Sequence, residues 1–311
     1  MLRASVFIFH FVCLVLSSSP SFAAEIKIAL NWKPEAEFGG FYAAQVHDIF
    51  KKHHLDVTLV PGGAGTPGVQ MVAGGKFDFA VASADEIAIA QSHGVKIIAL
   101  FATYQTNTQG IMTHEERAFK NLAEVFNSSG KLALQKALPY ALYLQKKFAN
   151  SKTQIVPFLG GINIFLVDKN YSQQCFVTSE PISAAKKSQK VKTFLVADAG
   201  YNPYTTVLLT RQDFLAKNSN LVRDLVAALR EGHAAYLADP RKTNELMNKL
   251  NPSVDLETLQ ASALIQKKFI EVPGTALGSM TSARWASLVD QLLELGLIKK
   301  KIAPEELFRS L

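Results

Sequence analysis

Short strand patterns alternate with helix patterns in two successive blocks of the chain, and this alternation limits the possible folds more than any other sequence feature. In the first block, apolar residues recur at the spacing of a strand or of a helix. The strand patterns cover residues 25–30, 55–60, 77–82 and 95–103, and the helix patterns cover residues 38–54, 69–73 and 85–93. This pace of alternation predicts an α/β architecture, in which helices cover both faces of a mostly parallel sheet.

A second block with the same alternation lies between residues 113 and 201, and a helical region ends the chain. The strand patterns of the second block cover residues 131–134, 154–158 and 174–178, and its helix patterns cover residues 119–126, 136–148, 162–169 and 182–189. A β-rich run at residues 205–210 precedes helix patterns at residues 220–238, 241–250, 256–269 and 282–295. These C-terminal helices have no sheet of their own, so we expect them to pack on the first sheet.

The two blocks predict two lobes that are joined by two chain connections. Lobe 1 comprises residues 24–112 and 202–311, and lobe 2 comprises residues 113–201. The chain then enters lobe 2 near residue 113 and leaves it near residue 201. We expect the two connecting segments to form a hinge between the lobes.

The first 23 residues have the pattern of a secretory signal peptide. Arg3 precedes an apolar run over residues 6–16, and small residues at Ser21 and Ala23 suit a leader peptidase. The run is shorter than the ~20 apolar residues of a membrane-spanning helix. We therefore expect cleavage after export and a soluble periplasmic protein, in which Cys175 is the one remaining cysteine and no internal disulfide forms.

Charge and motif patterns argue against nucleic acid, cofactors and catalysis. The chain has 33 Lys and Arg against 26 Asp and Glu, but the basic residues are scattered doublets on helix patterns, so no nucleic-acid role is expected. A GxGxxG match from Gly63 to Gly68 contains Pro67 and fits a dinucleotide site poorly; its alternative is a flexible turn whose N–H groups, with Gly63, face a cleft. No metal or nucleophile motif is present in the sequence, so we predict no cofactor and no enzyme.

The loop after the first strand pattern is the strongest candidate for a binding site. In an open α/β sheet, ligands bind beyond the carboxyl ends of the strands, where this loop presents Asn31, Trp32, Glu35, Glu37 and the following Tyr42. An indole plane beside carboxylates suits a flat nitrogen heterocycle. The alternative is that the indole covers the core and that the two acids are solvated residues of a first helical turn.

Three further segments predict residues of the same site, each with a purely structural alternative. Ser83 starts a helix after the third strand pattern, where it either contacts ligand or caps the helix. Glu180 follows a strand pattern of the second block, either at the facing rim of the cleft or as a solvated acid. Tyr201 and Tyr204 lie in the exit turn, which hinge structure alone also explains.

Several motifs of the chain resemble substrate-binding proteins of ABC importers. They are Leu30-Asn31-Trp32, Gly39-Gly40-Phe41-Tyr42-Ala43-Ala44, Leu55-Asp56-Val57, Ala73-Gly74-Gly75-Lys76-Phe77-Asp78 and Glu180-Pro181. The chain looks like the group that binds the pyrimidine precursor of thiamine, which is related to nitrate, taurine and sulfonate binders. The resemblance implies a type II-like periplasmic binding fold with an interlobe cleft, and a monomer that delivers its small-molecule ligand to a permease in the inner membrane.

The resemblance also implies roles for two residues and leaves other functions open. It implies that Trp32 stacks on the ligand and that Glu180 hydrogen-bonds an amino group of a pyrimidine, although many relatives have Asn where Ser179 stands. The alternatives are a binder of a small oxyanion such as a sulfonate or nitrate, a pyrimidine-synthase-like enzyme, and a sensor subunit. The fungal pyrimidine synthases of this group carry a cysteine-rich motif that this chain lacks.

Overall fold

The structure, a computed structural model, describes residues 25–63 and 65–311. The predicted signal peptide therefore lies outside the described residues. The described chain forms two five-stranded sheets. The strands are β1 (Ile26–Ala29), β2 (Val57–Val60), β3 (Phe79–Ala82), β4 (Ile97–Ala102), β5 (Gln109–His114), β6 (Lys131–Leu134), β7 (Gln154–Pro157), β8 (Tyr171–Phe176), β9 (Val191–Leu195) and β10 (Val207–Arg211).

Helices surround both sheets. The helices are α1 (Gly39–Val46), α2 (Ile49–Lys52), α3 (Gly68–Ala73), α4 (Ala84–Ser92), α5 (Leu122–Phe126), α6 (Pro139–Lys147), α7 (Asn163–Val167), α8 (Glu180–Lys186), α9 (Gln212–Lys217), α10 (Ser219–Ala238), α11 (Arg241–Leu250), α12 (Leu256–Ile270), α13 (Ser282–Glu294) and α14 (Pro304–Leu307). Single 3-10 turns cover Ala36–Phe38, Glu115–Arg117 and Ala197–Ala199. Along the described residues, every helix falls short of the length and apolar character that crossing a membrane requires.

The two sheets share one topology. Their strand orders are β2-β1-β3-β10-β4 and β7-β6-β8-β5-β9. In each sheet, the fourth strand of the order pairs antiparallel with both neighbours, and the other pairs are parallel. Four of the five strands in each sheet therefore run in the same direction. This arrangement confirms the α/β prediction and makes both sheets mixed.

Strands β5 and β9 had no counterpart in the sequence patterns. Both belong to the second sheet, where β5 lies between β8 and β9. The second sheet consequently begins at Gln109, before the predicted entry point at residue 113. The predicted helix over residues 38–54 is divided into α1 and α2, because Asp48 adopts a left-handed conformation with φ of 53°.

Helices cover both faces of the first sheet, as expected. Ile28 faces a core cluster with α1 and α10, whereas the next residue, Ala29, faces a cluster with α4 and α13. Helix α1 approaches α10 closely through two glycines. A Cβ on Gly40 would lie 2.1 Å from the His233 ring, so the Gly39-Gly40 pair permits helix packing at this contact.

The C-terminal helices, which we expected to pack on the first sheet, contact both halves of the molecule. Helix α10 packs on α1, and α13 packs on α4, beside the first sheet. Helix α12, however, also packs against α8 beside the second sheet. Ser262 on α12 donates a hydrogen bond of 2.7 Å to the carbonyl of Thr178, just before α8. Helix α12 therefore bridges the two halves.

Two crossing segments connect the sheets: the outbound crossing (residues 103–108) and the return crossing (residues 196–206). They lie side by side, since Thr103 N donates to Thr206 O at 2.9 Å and Asn107 N donates to the side-chain oxygen of Asn202 at 2.8 Å. The Arg284 guanidinium on α13 donates hydrogen bonds to backbone carbonyls of both crossings. These two adjacent segments are where the chain passes between the sheets.

Candidate functional site

A cavity of about 570 Å³ lies between the two halves of the molecule. Its first wall is the loop after β1, with Asn31, Trp32, Glu35 and Glu37. Its second wall comes from segments that follow β6 and β7, from β8, and from the start of α8. Helix α12 forms a third wall. The cavity therefore lies at the carboxyl ends of β1, β6 and β7, where open α/β sheets bind ligands.

The indole of Trp32 is exposed in the first wall. Its Nε1 donates a hydrogen bond of 3.1 Å to Oε1 of Glu35, which fixes one edge of the ring. The residue keeps 38% of its surface accessible. One aromatic plane is thus held in place by its edge while much of its surface remains available for a ligand.

The first wall is held in position by polar side chains from the C-terminal helices. Gln266 Nε2 on α12 donates to the carbonyl of Ala36 at 2.9 Å. Asn251 Nδ2, just after α11, donates to the carbonyl of Pro34 at 3.1 Å. Both amides satisfy loop carbonyls that the sheet leaves unpaired, so the loop is anchored on each side of Glu35.

Glu37 projects from the 3-10 turn Ala36–Phe38 into the cavity. Burial, together with the nearby carboxylates of Glu35 and Glu180, raises the pKa of its carboxyl to about 8. In the described part of the chain, no group donates a hydrogen bond to this carboxyl and no cation pairs with it. Glu37 therefore retains unused hydrogen-bonding capacity.

Glu180 and Glu35 are the other two acids of the cavity, and each already accepts one hydrogen bond. Phe176 N donates to Glu180 Oε2 at 2.8 Å. Burial raises the pKa of Glu180 to about 7, opposed by backbone hydrogen bonds. Burial also raises the pKa of Glu35, opposed by the bond from Trp32. Three carboxyl groups thus share one partly dehydrated space.

An amide cluster in the second wall was not predicted from sequence. The side-chain oxygen of Gln174 accepts hydrogen bonds of 2.6 Å from the Tyr140 hydroxyl and from Gln135 N, and its Nε2 donates to Gln135 Oε1 at 2.7 Å. Across the cavity, the buried Oδ1 of Asn31 has no hydrogen-bond partner. The sequence of β8 did not indicate which way Gln174 faces, because the three consecutive polar residues Ser172–Gln174 do not alternate with apolar ones.

The charge of the cavity has one sign. The carboxyl groups that line it belong to Glu35, Glu37 and Glu180, and none of the described lining residues is Lys, Arg or His. An anion would meet carboxyl groups from both walls and no cationic partner among the described lining residues. An amino or amidinium group would instead find several acceptors, so the arrangement is suited to hydrogen-bond donors.

Comparisons with known proteins place the chain in a family. The family described as NMT1/THI5 like matches residues 35–243, which is more than half of the chain. The chain belongs to this family. A search of curated proteins found no match.

Solved structures show that this NMT1/THI5-like chain has the fold of periplasmic binding proteins. The aliphatic sulphonate binding protein SsuA from Escherichia coli superposes with a TM-score of 0.69 at 17% identity, covering 91% of each chain. The alkanesulfonate-binding protein SsuA from Xanthomonas axonopodis pv. citri, bound to MOPS, gives 0.67 at 12% identity, covering 93% of this chain and 99% of that chain. The Candida albicans CA3427 gene product gives a TM-score of 0.62 at 14% identity, covering 92% of this chain and 96% of that chain. Such identities establish the fold alone.

The structure does not bring five of the predicted site residues of the NMT1/THI5-like chain to the cavity. Tyr42 is buried in the core under α10, because α1 turns its side chain inward. The hydroxyl of Tyr201 donates to buried Asp85 at 3.0 Å. Tyr204 is buried under the Arg284 guanidinium, which lies 3.8 Å from its ring centroid. None of these three aromatic residues lines the cavity in this arrangement.

The other two residues lie at loop and helix termini away from the cavity lining. Ser83 forms a capping box with Glu86 at the start of α4, which is the structural alternative stated for it. Gly63 does not line the cavity, whereas Gly65 of the same loop does. Cys175 is buried, and it also contributes to the cavity wall.

Proposed function

We propose that the chain is the periplasmic binding component of an ABC importer. In this proposal it is exported, loses residues 1–23, and carries a flat nitrogen heterocycle, similar to the pyrimidine precursor of thiamine, to a permease in the inner membrane. The membership in the NMT1/THI5-like family and the fold shared with SsuA proteins support the general role. The observation that carries the ligand class is the exposed Trp32 indole beside three carboxyl groups, with no cation among the described lining residues.

The cavity provides each contact that such a ligand needs. Its volume of about 570 Å³ falls within the ~300–1,000 Å³ range of small-molecule sites. The ring would stack on Trp32, and its amino groups would donate to Glu35, Glu37 or Glu180. The unpaired Oδ1 of Asn31 would accept a further hydrogen bond. Several hydrogen-bond acceptors beside one aromatic plane suit a planar donor better than an aliphatic solute.

The proposal includes a clamp-like movement of two lobes. We propose that residues 24–112 and 202–311 form lobe 1, that residues 113–201 form lobe 2, and that the two crossings are the hinge. The protein acts as a monomer and binds its ligand without turning it over. Hinge closure on a ligand is a common device of binding proteins.

A panel of ligands tests the proposal by thermal shift and calorimetry. Aminopyrimidines and flavins form one arm, and taurine, nitrate and alkanesulfonates form the other. A ligand at 100 times its Kd should stabilise the protein by ~2.7 kcal/mol. We expect a shift with an aminopyrimidine and none with the anions. A shift with taurine or an alkanesulfonate alone would replace the proposal with an oxyanion binder.

Mass spectrometry separates binding from turnover in the same samples. After incubation and denaturation, the ligand should be recovered unchanged and the protein should keep its mass. A modified ligand, or a histidine that carries an added group, would show an enzyme instead.

Leu264→Ala is the control variant for substitutions in the cavity, because Leu264 lies on α12 outside the cavity lining and is 67% exposed.

A further inference from the structure

The three carboxyl groups of the cavity differ in how many partners they have. Glu35 accepts from the Trp32 indole, and Glu180 accepts from Phe176 N. In the described part of the chain, no group donates a hydrogen bond to Glu37, although it lines the same cavity as Glu35 and Glu180 and both of these acids raise its pKa. The acid with the greatest need for a hydrogen-bond partner is therefore the one that has none.

Among the described residues that line the cavity with Glu37, none would compensate its negative charge if the carboxyl ionised. The first wall contributes Glu35, with Lys33 acting on Glu35. The second wall contributes Glu180, and the core behind the 3-10 turn contributes the buried phenol of Tyr104, which interacts with Glu37. Helix α12 contributes only uncharged groups to the cavity, namely Thr258, Leu259 and Ser262. A carboxyl in these surroundings holds a proton near neutral pH, in accord with a pKa of about 8.

A protonated carboxyl has one donor and one acceptor on the same edge. An amidine edge, meaning a ring nitrogen next to an exocyclic amino group, has the complementary acceptor and donor. The pair forms two parallel hydrogen bonds. The same pair can be written as amidinium and carboxylate, with the proton on the ring nitrogen, and the composition of the complex is identical in both forms.

Resting on the proposed function, we infer that the cargo is an amidine-type amino-heterocycle that binds with one proton held between its ring nitrogen and the Glu37 carboxyl. Glu35 and Glu180 supply the surrounding negative potential, and the indole of Trp32 supplies the stacking surface. Anionic derivatives of the same heterocycle are excluded, because they would place a further negative charge among three acids. The structure thus assigns Glu37 as the residue that distinguishes basic from non-basic rings.

On the alkaline side, the affinity should fall as the pH rises. Below about pH 8 the Glu37 carboxyl of the free protein already carries the shared proton. Above about pH 8 the proton must be taken from water, so the Kd should rise by a factor of about ten for each further pH unit. A permanently charged ligand does not need this proton and should not show the rise.

Four probes test the inference by calorimetry on the full mature chain. They are 4-amino-2,5-dimethylpyrimidine, its N-methylated pyrimidinium, the carbocyclic 2,5-dimethylaniline, and 4-amino-2-methylpyrimidine-5-carboxylate. We expect the pyrimidine to bind with the pH dependence above. The pyrimidinium should bind without the alkaline loss. The aniline and the carboxylate should bind at least about tenfold more weakly. The aniline has no ring nitrogen to share the proton, and the carboxylate adds a negative charge.

Two matched variants identify the residue. Glu37→Gln should remove the alkaline break in Kd, whereas Glu35→Gln, with the same chemical change in the same loop, should keep a break at somewhat lower pH. Folding is monitored separately through the stability of the free protein. A raised carboxyl pKa contributes stability that is fully present below the unfolded value of 4.5 and is lost as the pH rises through about 8. Glu37→Gln should remove that loss as well.

The outcomes separate this inference from the proposed function. If the pyrimidine and the aniline bind equally well, or if the Kd of the pyrimidine is independent of pH, the shared proton is wrong while the heterocycle receptor stands. If the carboxylate probe binds as well as the pyrimidine, anion exclusion is wrong. If no probe with an aromatic ring binds and an alkanesulfonate does, the proposed function itself has failed.

Discussion

The cavity and the return crossing both pair an aromatic donor with a carboxylate, but they differ in what remains unpaired. In the return crossing, Tyr201 donates to Asp85, which also accepts from Ser83 and from Glu86 N, and the Tyr201 and Asp85 side chains are buried. In the cavity, Trp32 donates to Glu35 and stays exposed. The first arrangement uses its hydrogen-bonding groups completely within the fold.

This difference indicates which aromatic residues serve the fold and which are available to a ligand. A buried donor and acceptor that satisfy each other gain nothing from a ligand, and breaking either one leaves a buried polar group without a partner. An exposed plane whose edge alone is fixed can gain a stacking partner. The comparison predicts that substitutions at the crossing change stability, whereas those at the cavity change affinity.

The two tryptophans of the chain provide the most direct test of this prediction. Trp285, on α13, is fully buried and stacks on Phe308, with ring centroids 6.1 Å apart. Trp285→Ala should lower the free energy of unfolding by about 3–5 kcal/mol, because it removes a large core side chain and leaves a cavity. Urea denaturation measures the loss. A loss no greater than that of Trp32→Ala would mean that burial does not separate the two regions.

The next largest effect is expected at the hydroxyl of Tyr201. Tyr201→Phe keeps the ring and removes the hydrogen bond to buried Asp85, so the free energy of unfolding should fall by about 1–3 kcal/mol. Ligand affinity should stay within about twofold, since the residue does not line the cavity. Denaturation and calorimetry on one preparation measure both quantities. If Tyr201→Phe weakened ligand binding without changing stability, Tyr201 would instead be a binding-site residue.

A smaller effect, on affinity alone, is expected at Trp32. Trp32→Ala should weaken aminopyrimidine binding about tenfold, or ~1.4 kcal/mol, through the loss of stacking and of contact area. Its cost in stability should stay below about 1 kcal/mol, because much of the ring is already exposed. In the Trp285→Phe background, Trp32 fluorescence reports binding directly. A large loss of stability without an effect on binding would make Trp32 a structural residue.

Local sequence patterns were sufficient for most strands and helices but not for two strands of the second sheet. Strand β5 contains Ile111 and Met112 between polar residues, so it offers no apolar run or alternation. The polar residues at its carboxyl end, Thr113 and His114, are buried, and His114 Nε2 forms a long-range hydrogen bond of 2.9 Å with the carbonyl of Phe165. Strand β9 pairs with β5 alone. Both strands depend on partners that are distant in sequence.

The candidate site divides in the same way. The first wall could be located in advance, because a loop that follows a strand must lie at the edge of the sheet, and Asn31, Trp32, Glu35 and Glu37 all line the cavity. The third wall could not be located in advance, since nothing in the sequence pattern of α12 shows that Thr258 and Ser262 face a cavity. The sequence also does not show which hydroxyls find partners within the fold, as the placements of Tyr201 and Ser83 demonstrate.

Ser83 offers the smallest effect and the finest test of the distinction between cap and ligand contact. Its N and Oγ each lie 2.9 Å from Glu86 Oε2, so Ser83→Ala should cost about 1 kcal/mol of stability through the weakened capping box. The Kd for an aminopyrimidine should not change, and Ser83→Thr should restore much of the stability. A weaker Kd in Ser83→Ala with unchanged stability would instead mean that α4 reaches the ligand when the halves close, as a helix N-terminus that binds an oxyanion would. That result would favour the sulfonate-type ligand over the heterocycle, because a hydroxyl and free N–H groups donate to anions, whereas the carboxyls of the cavity accept from amines.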